Sequence, residues 1–223
     1  MKFGICDDNW NVLARFAVPM TVNSNQPVFS TDTLSLHRRT TVRGAQRWEI
    51  SSNVEILRET AAGLFAHLVE KGHHTPINVL IPQNIGVIEN MREAYEDPIP
   101  RYIGISQRQN SADGKATISL QNHTVALLAG TFVQFITYNA NGVIDPVQDT
   151  KVYMLTRPVT ANNNIAYVYP QLRKTGTVGS QSKMYYTGVK MPCYYDMDTI
   201  QGMVYQDGLL MDMGTVKLVE ALA

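Results

Sequence analysis

Along residues 46–55 the chain alternates: Trp48, Ile50 and Val54 fall on one face of a two-residue repeat, and Arg47, Glu49 and Glu55 on the other. That is the pattern of a strand with one buried side. Downstream the period changes. Leu64, Phe65, Leu68 and Val69 form one stripe at helical spacing, and Gly72 stands just past Lys71 as a stop, so 58–72 is predicted to be a helix. The run Ile77-Asn78-Val79-Leu80-Ile81, flanked by Pro76 and Pro82, then predicts a buried strand. Strand, helix and strand make one module over 37–82, with the helix expected to pack on the sheet.

The pattern is less regular on either side. Residues 1–36 mix short apolar pieces such as Val12-Leu13-Ala14 with the polar Asn23-Ser24-Asn25-Gln26-Pro27, and predict an N-terminal arm with one or two strands. Gly44 is a natural turn or bulge residue ahead of the Trp48 strand. Over 83–112 the periodicity fades and Glu96-Asp97-Pro98-Ile99-Pro100 is rich in breakers, which predicts a linker or insertion with room for a short helix at 88–95. From 113 onward strands and turns alternate, with strands expected at 116–120, 131–138, 151–155, 165–169, 182–191 and 215–219. Asn141-Gly142, Asn162-Asn163-Asn164, Thr175-Gly176 and Asp207-Gly208 separate them. Residues 113–223 are thus expected to form an antiparallel β-barrel or sandwich, and the fold class is α+β, mainly β. No fixed period recurs, which disfavours a solenoid or propeller.

Composition narrows the function classes. A chain of 223 residues has room for one large or two small domains. Lys plus Arg and Asp plus Glu number 19 each, so no global charge drives the protein toward nucleic acid or an anionic membrane. A neutral chain is poorly protected from self-association, which favours a life inside an assembly. No apolar stretch approaches the roughly 20 residues of a membrane helix. The opening Met1-Lys2-Phe3-Gly4-Ile5-Cys6-Asp7-Asp8 lacks the apolar core of a secretory signal, so a cytoplasmic site of synthesis is expected. Cys6 and Cys193 fit no metal spacing and are expected as reduced thiols.

Candidate chemistry is sparse. His67, His73 and His74 form the one local imidazole cluster, but adjacent side chains on an extended chain diverge, so a solvated helix end is the simpler reading. Asp196, Asp198, Asp207 and Asp212 lack the glycine and glutamate offsets of a calcium loop and are read as turn residues. No nucleophile elbow, phosphate loop or dinucleotide fingerprint occurs. No catalytic residue, metal ligand or cofactor is therefore expected, and no enzyme activity.

Arg38, Arg39, Arg43 and Arg47 are the concentrated basic stretch. They are read either as a solvated face or as an inter-subunit ion-pair row, since arginine grips carboxylates bidentately at interfaces. Eleven tyrosines and ten methionines, bunched in Met184-Tyr185-Tyr186, Met191-Pro192-Cys193-Tyr194-Tyr195 and Met203-Val204-Tyr205, serve either core filling or subunit contacts. Tyr185, Tyr194 and Tyr195 are the aromatic candidates for such contacts.

The segment 39–81, with Gly44-Ala45-Gln46-Arg47-Trp48-Glu49-Ile50, Leu64-Phe65-Ala66-His67-Leu68 and Ile81-Pro82, resembles the N-terminal module of tail-tip and baseplate proteins of long-tailed bacteriophages, the distal tail proteins among them. Thr131-Phe132-Val133-Gln134-Phe135, Lys151-Val152-Tyr153-Met154-Leu155-Thr156, the run 165–173 and Val216-Lys217-Leu218-Val219-Glu220-Ala221-Leu222 are similar to the downstream module of such proteins. The resemblance implies a structural virion protein of the distal phage tail. It implies a homo-oligomeric ring, six-fold, joining the tail tube to hub, spike, baseplate wedge or fibre proteins, with tape-measure protein and DNA passing through the lumen without specific binding or membrane insertion. The competing expectations are a receptor- or carbohydrate-binding module that stacks sugars on Tyr167, Tyr169, Tyr185 and Tyr194, and a wall-degrading enzyme, for which no paired carboxylates or Cys/His pair can be placed.

Overall fold

The computed structural model describes residues 3–17, 19–32, 38–42, 46–55, 67, 70–71, 75–82, 100–111, 115–138, 150–161, 163–177, 182–196, 204–206, 209–212 and 215–222. Their strands, in chain order, are β1 (Gly4–Cys6), β2 (Val12–Phe16), β3 (Thr21–Asn25), β4 (Val28–Asp32), β5 (Arg38–Val42), β6 (Arg47–Glu55), β7 (Ile77–Leu80), β8 (Tyr102–Asn110) and β9 (Ala116–Leu120). They continue with β10 (Phe132–Ile136), β11 (Val152–Leu155), β12 (Ile165–Tyr169), β13 (Gly176–Thr177), β14 (Lys183–Tyr185), β15 (Lys190–Tyr195), β16 (Val204–Gln206), β17 (Leu209–Asp212) and β18 (Thr215–Glu220). The protein is mainly β, and its two large sheets are antiparallel.

Each large sheet closes on itself. In the first the order is β18-β15-β7-β1-β2-β6, and β6 pairs back onto β18; in the second it is β8-β14-β10-β11-β12-β9, and β9 pairs back onto β8. Closure removes the open edges that would otherwise recruit stray strands. Both barrels are organised around a nine-residue strand. One edge of β6 holds β18, while its other edge is shared between β2, opposite Val54 and Glu55, and β3, opposite residues 47–51. One edge of β8 holds β9, while the other is shared between β14 and β13.

Alternation fixes which face points inward. In β6, Trp48, Ile50 and Val54 are buried as their spacing predicts, together with Ser52, whose hydroxyl donates to the Ala17 carbonyl. With Ile5, Phe16, Ile77, Val79, Met191 and Leu218 they fill barrel one; Ile105, Ile118, Val133, Phe135, Tyr153 and Met184 are among those filling barrel two. Each such side chain contributes about 1.5–3 kcal/mol. The wall of barrel one requires Gly4: its φ is +148°, and a Cβ there would lie 2.0 Å from the Ala14 carbonyl oxygen.

Several sequence expectations change. Residues 1–36 are not only an arm, because β1, β2 and β3 are staves or pendants of barrel one. The segment 83–112 contains β8. Ile103 and Ile105 point inward, the register then slips between Ile105 and Gln107, and the next inward residue is Arg108, so a bulge and a buried charge break the pattern that marks a strand. The expected strand 182–191 is two strands: β14 closes barrel two and β15 pairs with β7 in barrel one, with the chain crossing over at Gly188. Barrel two is thus inserted between β7 and β15, and 113–223 is not a single module. Most of the expected helix 58–72 lies outside the described residues; His67, Glu70 and Lys71 are helical. The short helix expected at 88–95 also lies outside them.

Candidate functional site

The densest polar chemistry lies where the barrels meet. Lys151, just ahead of β11 in barrel two, and Glu220, the last residue of β18 in barrel one, form an ion pair of 2.7 Å with side chains 2% and 0% exposed. A buried charge is tolerated only when its remaining bonding capacity is met. Lys151 Nζ also donates to the Gln46 carbonyl at 2.9 Å, and the two carboxylate oxygens of Glu220 accept from the backbone N–H groups of Trp48, at 3.2 Å, and Val152, at 2.8 Å. The Trp48 indole N–H donates to the Val152 carbonyl at 2.8 Å. Val152 therefore gives its N–H to one residue of barrel one and takes a donor from another. The Trp48 ring stands edge-on to Phe132 at 5.3 Å and to Tyr169 at 6.1 Å, on the outer face of barrel two. These bonds fix the relative placement of two surfaces.

A second cluster covers the outer face of β8, β14 and β10. The hydroxyls of Tyr138 and Tyr185 are 2.6 Å apart, Tyr185 packs on Tyr102 at 5.4 Å, and the Lys183 ammonium lies 3.9 Å from the Tyr102 ring centroid and 4.8 Å from that of Tyr138. Burial first, then the bond to Tyr138, raises the Tyr185 pKa. Near the far end of β8 an open groove of about 370 Å3 is lined by Gln107, Arg108, Gln109, Asn110, Thr117 and Gly176 among others. Asn110 both donates to and accepts from Leu172, so its amide holds a loop in place.

The residues singled out from sequence are spread across the molecule. Arg38 and Arg39 lie on β5, in register with Asp32 and Thr31 of β4; this hairpin forms a two-stranded sheet of its own. Arg43 lies outside the described residues, and Arg47 is exposed at the start of β6. Tyr194 is 40% exposed, whereas Tyr185 is 8% exposed and engaged with Tyr138 and Tyr102. Tyr195 packs against the core of barrel one, and burial raises its pKa. Of the proposed sugar platforms, Tyr169 is engaged by Trp48, Ser24 and Gln26, and Tyr167 is covered by the Arg157 guanidinium at 4.3 Å.

Asp196 pairs with Lys217 at 3.3 Å, Asp212 ends β17, and Asp198, Asp207, His73 and His74 lie outside the described residues. Among the described residues no group of three or more His, Cys, Asp or Glu is placed to hold a metal ion, and no helix is long and apolar enough to cross a membrane. Sequence reasoning missed Lys151, Glu220, Lys183 and Trp10. Glu220 had a legible signal, since it occupies the third inward position of the alternation Val216, Leu218, Glu220.

No known protein family matches the sequence, and no curated protein matches it.

Proposed function

We propose that the protein is a structural component of a bacteriophage tail tip or baseplate, forming a six-fold ring that connects the distal tail tube to hub, spike or fibre proteins. The observation that carries this reading is the junction of Lys151, Glu220, Trp48 and Val152, which makes two closed barrels into one stiff body. Fixed geometry is what a ring subunit requires: closed cyclic symmetry leaves no free interface, and small angular errors per subunit would prevent closure. The neutral charge supports it too, because a lumen that passes DNA must not hold it.

In this reading the segment 37–82 supplies the contact between copies, with Arg38, Arg39, Arg43 and Arg47 as its ion-pair row and Tyr194 at its rim. The protein works by fit, without turnover or cofactor, and resides in the virion after assembly in the host cytoplasm. The test is negative-stain microscopy of the purified protein over a range of concentrations, together with dissociated tail tips. Closed rings and presence in the tips are expected; a persistent monomer that is missing from the tips would overturn the reading.

A further inference from the structure

The turn between β1 and β2 carries a residue that its backbone does not favour. Trp10 N–H donates to the Asp7 carbonyl at 3.4 Å, Asp7 N–H donates to the Asn11 carbonyl at 3.0 Å, and the pairing of β1 with β2 slips by one residue beside the turn. Trp10 follows that turn at φ +65°. A bulged hairpin turn of this kind places glycine or asparagine in the left-handed position, because a bulky side chain there is strained. Strain of this sort persists only where the surroundings impose it, and it concentrates at binding sites.

The surroundings are built to impose it. The Asp7 carboxylate accepts from Asn9 N–H at 2.8 Å, Asn11 N–H at 2.9 Å and the Asn11 side-chain amide at 2.8 Å. The indole N–H of Trp10 donates to the Gly188 carbonyl at 3.1 Å, and the Lys190 ammonium lies 3.2 Å from the ring centroid while donating to the Asp8 carbonyl at 2.6 Å. The Asp8 carboxylate is held by Asn78 at 2.8 Å and Lys71 at 3.6 Å, yet its side chain is 71% exposed. Trp10 nonetheless keeps 37% of its surface in solvent. The ammonium occupies one face, so a ligand would have to approach the part of the ring that remains in solvent.

We infer that Trp10 is a stacking platform for a neutral saccharide, with the Asp8 carboxylate and the Asn9 amide beside it to bond ring hydroxyls. A partly exposed indole that follows Asp8 and Asn9 in a tight turn offers the combination of an apolar ring and short polar groups that suits the apolar face and polar rim of a pyranose. A hot-spot tryptophan that inserts into a protein pocket would instead project and have an apolar surround. The site is independent of the ring reading, since a ring subunit with or without a glycan contact assembles in the same way.

The chain has two tryptophans, and Trp48 is 3% exposed, so acrylamide quenching reports Trp10 almost alone. The full chain is screened on an array of bacterial and plant oligosaccharides, and the strongest binder is titrated by fluorescence. Saturable binding that shields Trp10 from acrylamide is expected. Trp10→Asn relieves the backbone but gives up the indole's bond to Gly188 and its contact with Lys190, so its fold is checked first by circular dichroism. Titrated by calorimetry, since the reporting indole is gone, it should bind at least about tenfold more weakly than the parent, while Trp10→Phe should retain part of the binding. No saturable binding across the array, or undiminished binding by a folded Trp10→Asn, overturns the inference. Shielding of Trp10 by a protein from tail tips, with no glycan response, overturns it in favour of a protein contact.

Discussion

Lys151 and Glu220, one from each barrel, meet at 2.7 Å with both side chains almost wholly out of solvent. Removing one member of such a pair strands the other. Lys151→Met should lower the unfolding free energy by about 3–5 kcal/mol, and Glu220→Leu by at least as much, because the latter also orphans the N–H groups of Trp48 and Val152. The double variant should not return to parental stability, since those two amides remain unpaired. Denaturant titration of the four proteins measures this; a double variant as stable as the parent would show that the carboxylate's backbone bonds contribute nothing.

Trp48 connects the barrels through both its ring and its N–H. Trp48→Phe keeps an aromatic ring against Phe132 and Tyr169 but leaves the Val152 carbonyl without its donor, at a cost of about 1–3 kcal/mol. Trp48→Ala should cost about 3–5 kcal/mol and uncouple the barrels, so that calorimetry resolves two transitions where the parent shows one. A single sharp transition in Trp48→Ala would place the coupling elsewhere.

The antiparallel second half was readable because residues such as Ile118, Val133, Phe135 and Leu155 keep a two-residue period between turns. The alternation of Trp48, Ile50 and Val54 is likewise the observed burial of β6. What local pattern could not carry is which strands share a barrel. The stretch from Lys183 to Tyr195 is nearly continuous in apolar content, yet it belongs half to each barrel, and only pairing with β7, more than a hundred residues earlier, decides that. β8 was missed because its inward Arg108 follows a bulge. The charge is accommodated by a bond to Thr137 at 3.1 Å and by the Phe135 ring at 5.8 Å, neither visible in the sequence. The residues that join the barrels were passed over for a similar reason: a lone Lys and a lone Glu, 69 positions apart, gain meaning only when folding brings them together.

The two thiols give a pH dependence of known sign. Burial pushes the Cys6 thiol from 9.0 up to about 12, and burial likewise raises that of Cys193. A raised folded value means that the native state keeps its proton where the unfolded chain has lost it. The associated stability is whole below about pH 9 and is lost progressively as pH rises toward 12. Cys6→Ala should flatten the alkaline limb of a stability–pH curve relative to the parent. Native protein at pH 8 should react slowly with a thiol reagent and quickly once denatured. Rapid labelling of both thiols in the folded protein would contradict their burial.

Tyrosine reactivity separates surface contacts from internal ones. Tyr102 and Tyr194, 49% and 40% exposed, should be nitrated first in the isolated protein, while Tyr153 and Tyr186, at 0% and 4%, should resist. Tyr185 should resist as well, since its hydroxyl is paired with Tyr138, and Tyr185→Phe should cost about 1 kcal/mol without altering assembly. If copies meet along the Arg47 side of barrel one with Tyr194 at the rim, assembly should protect Tyr194 and leave Tyr102 reactive. Mass spectrometry of nitrated peptides from the free and assembled protein distinguishes the two cases. Equal labelling of Tyr194 in both would remove it from the contact, and protection of Tyr102 instead would shift the contact to the tyrosine–lysine face of barrel two.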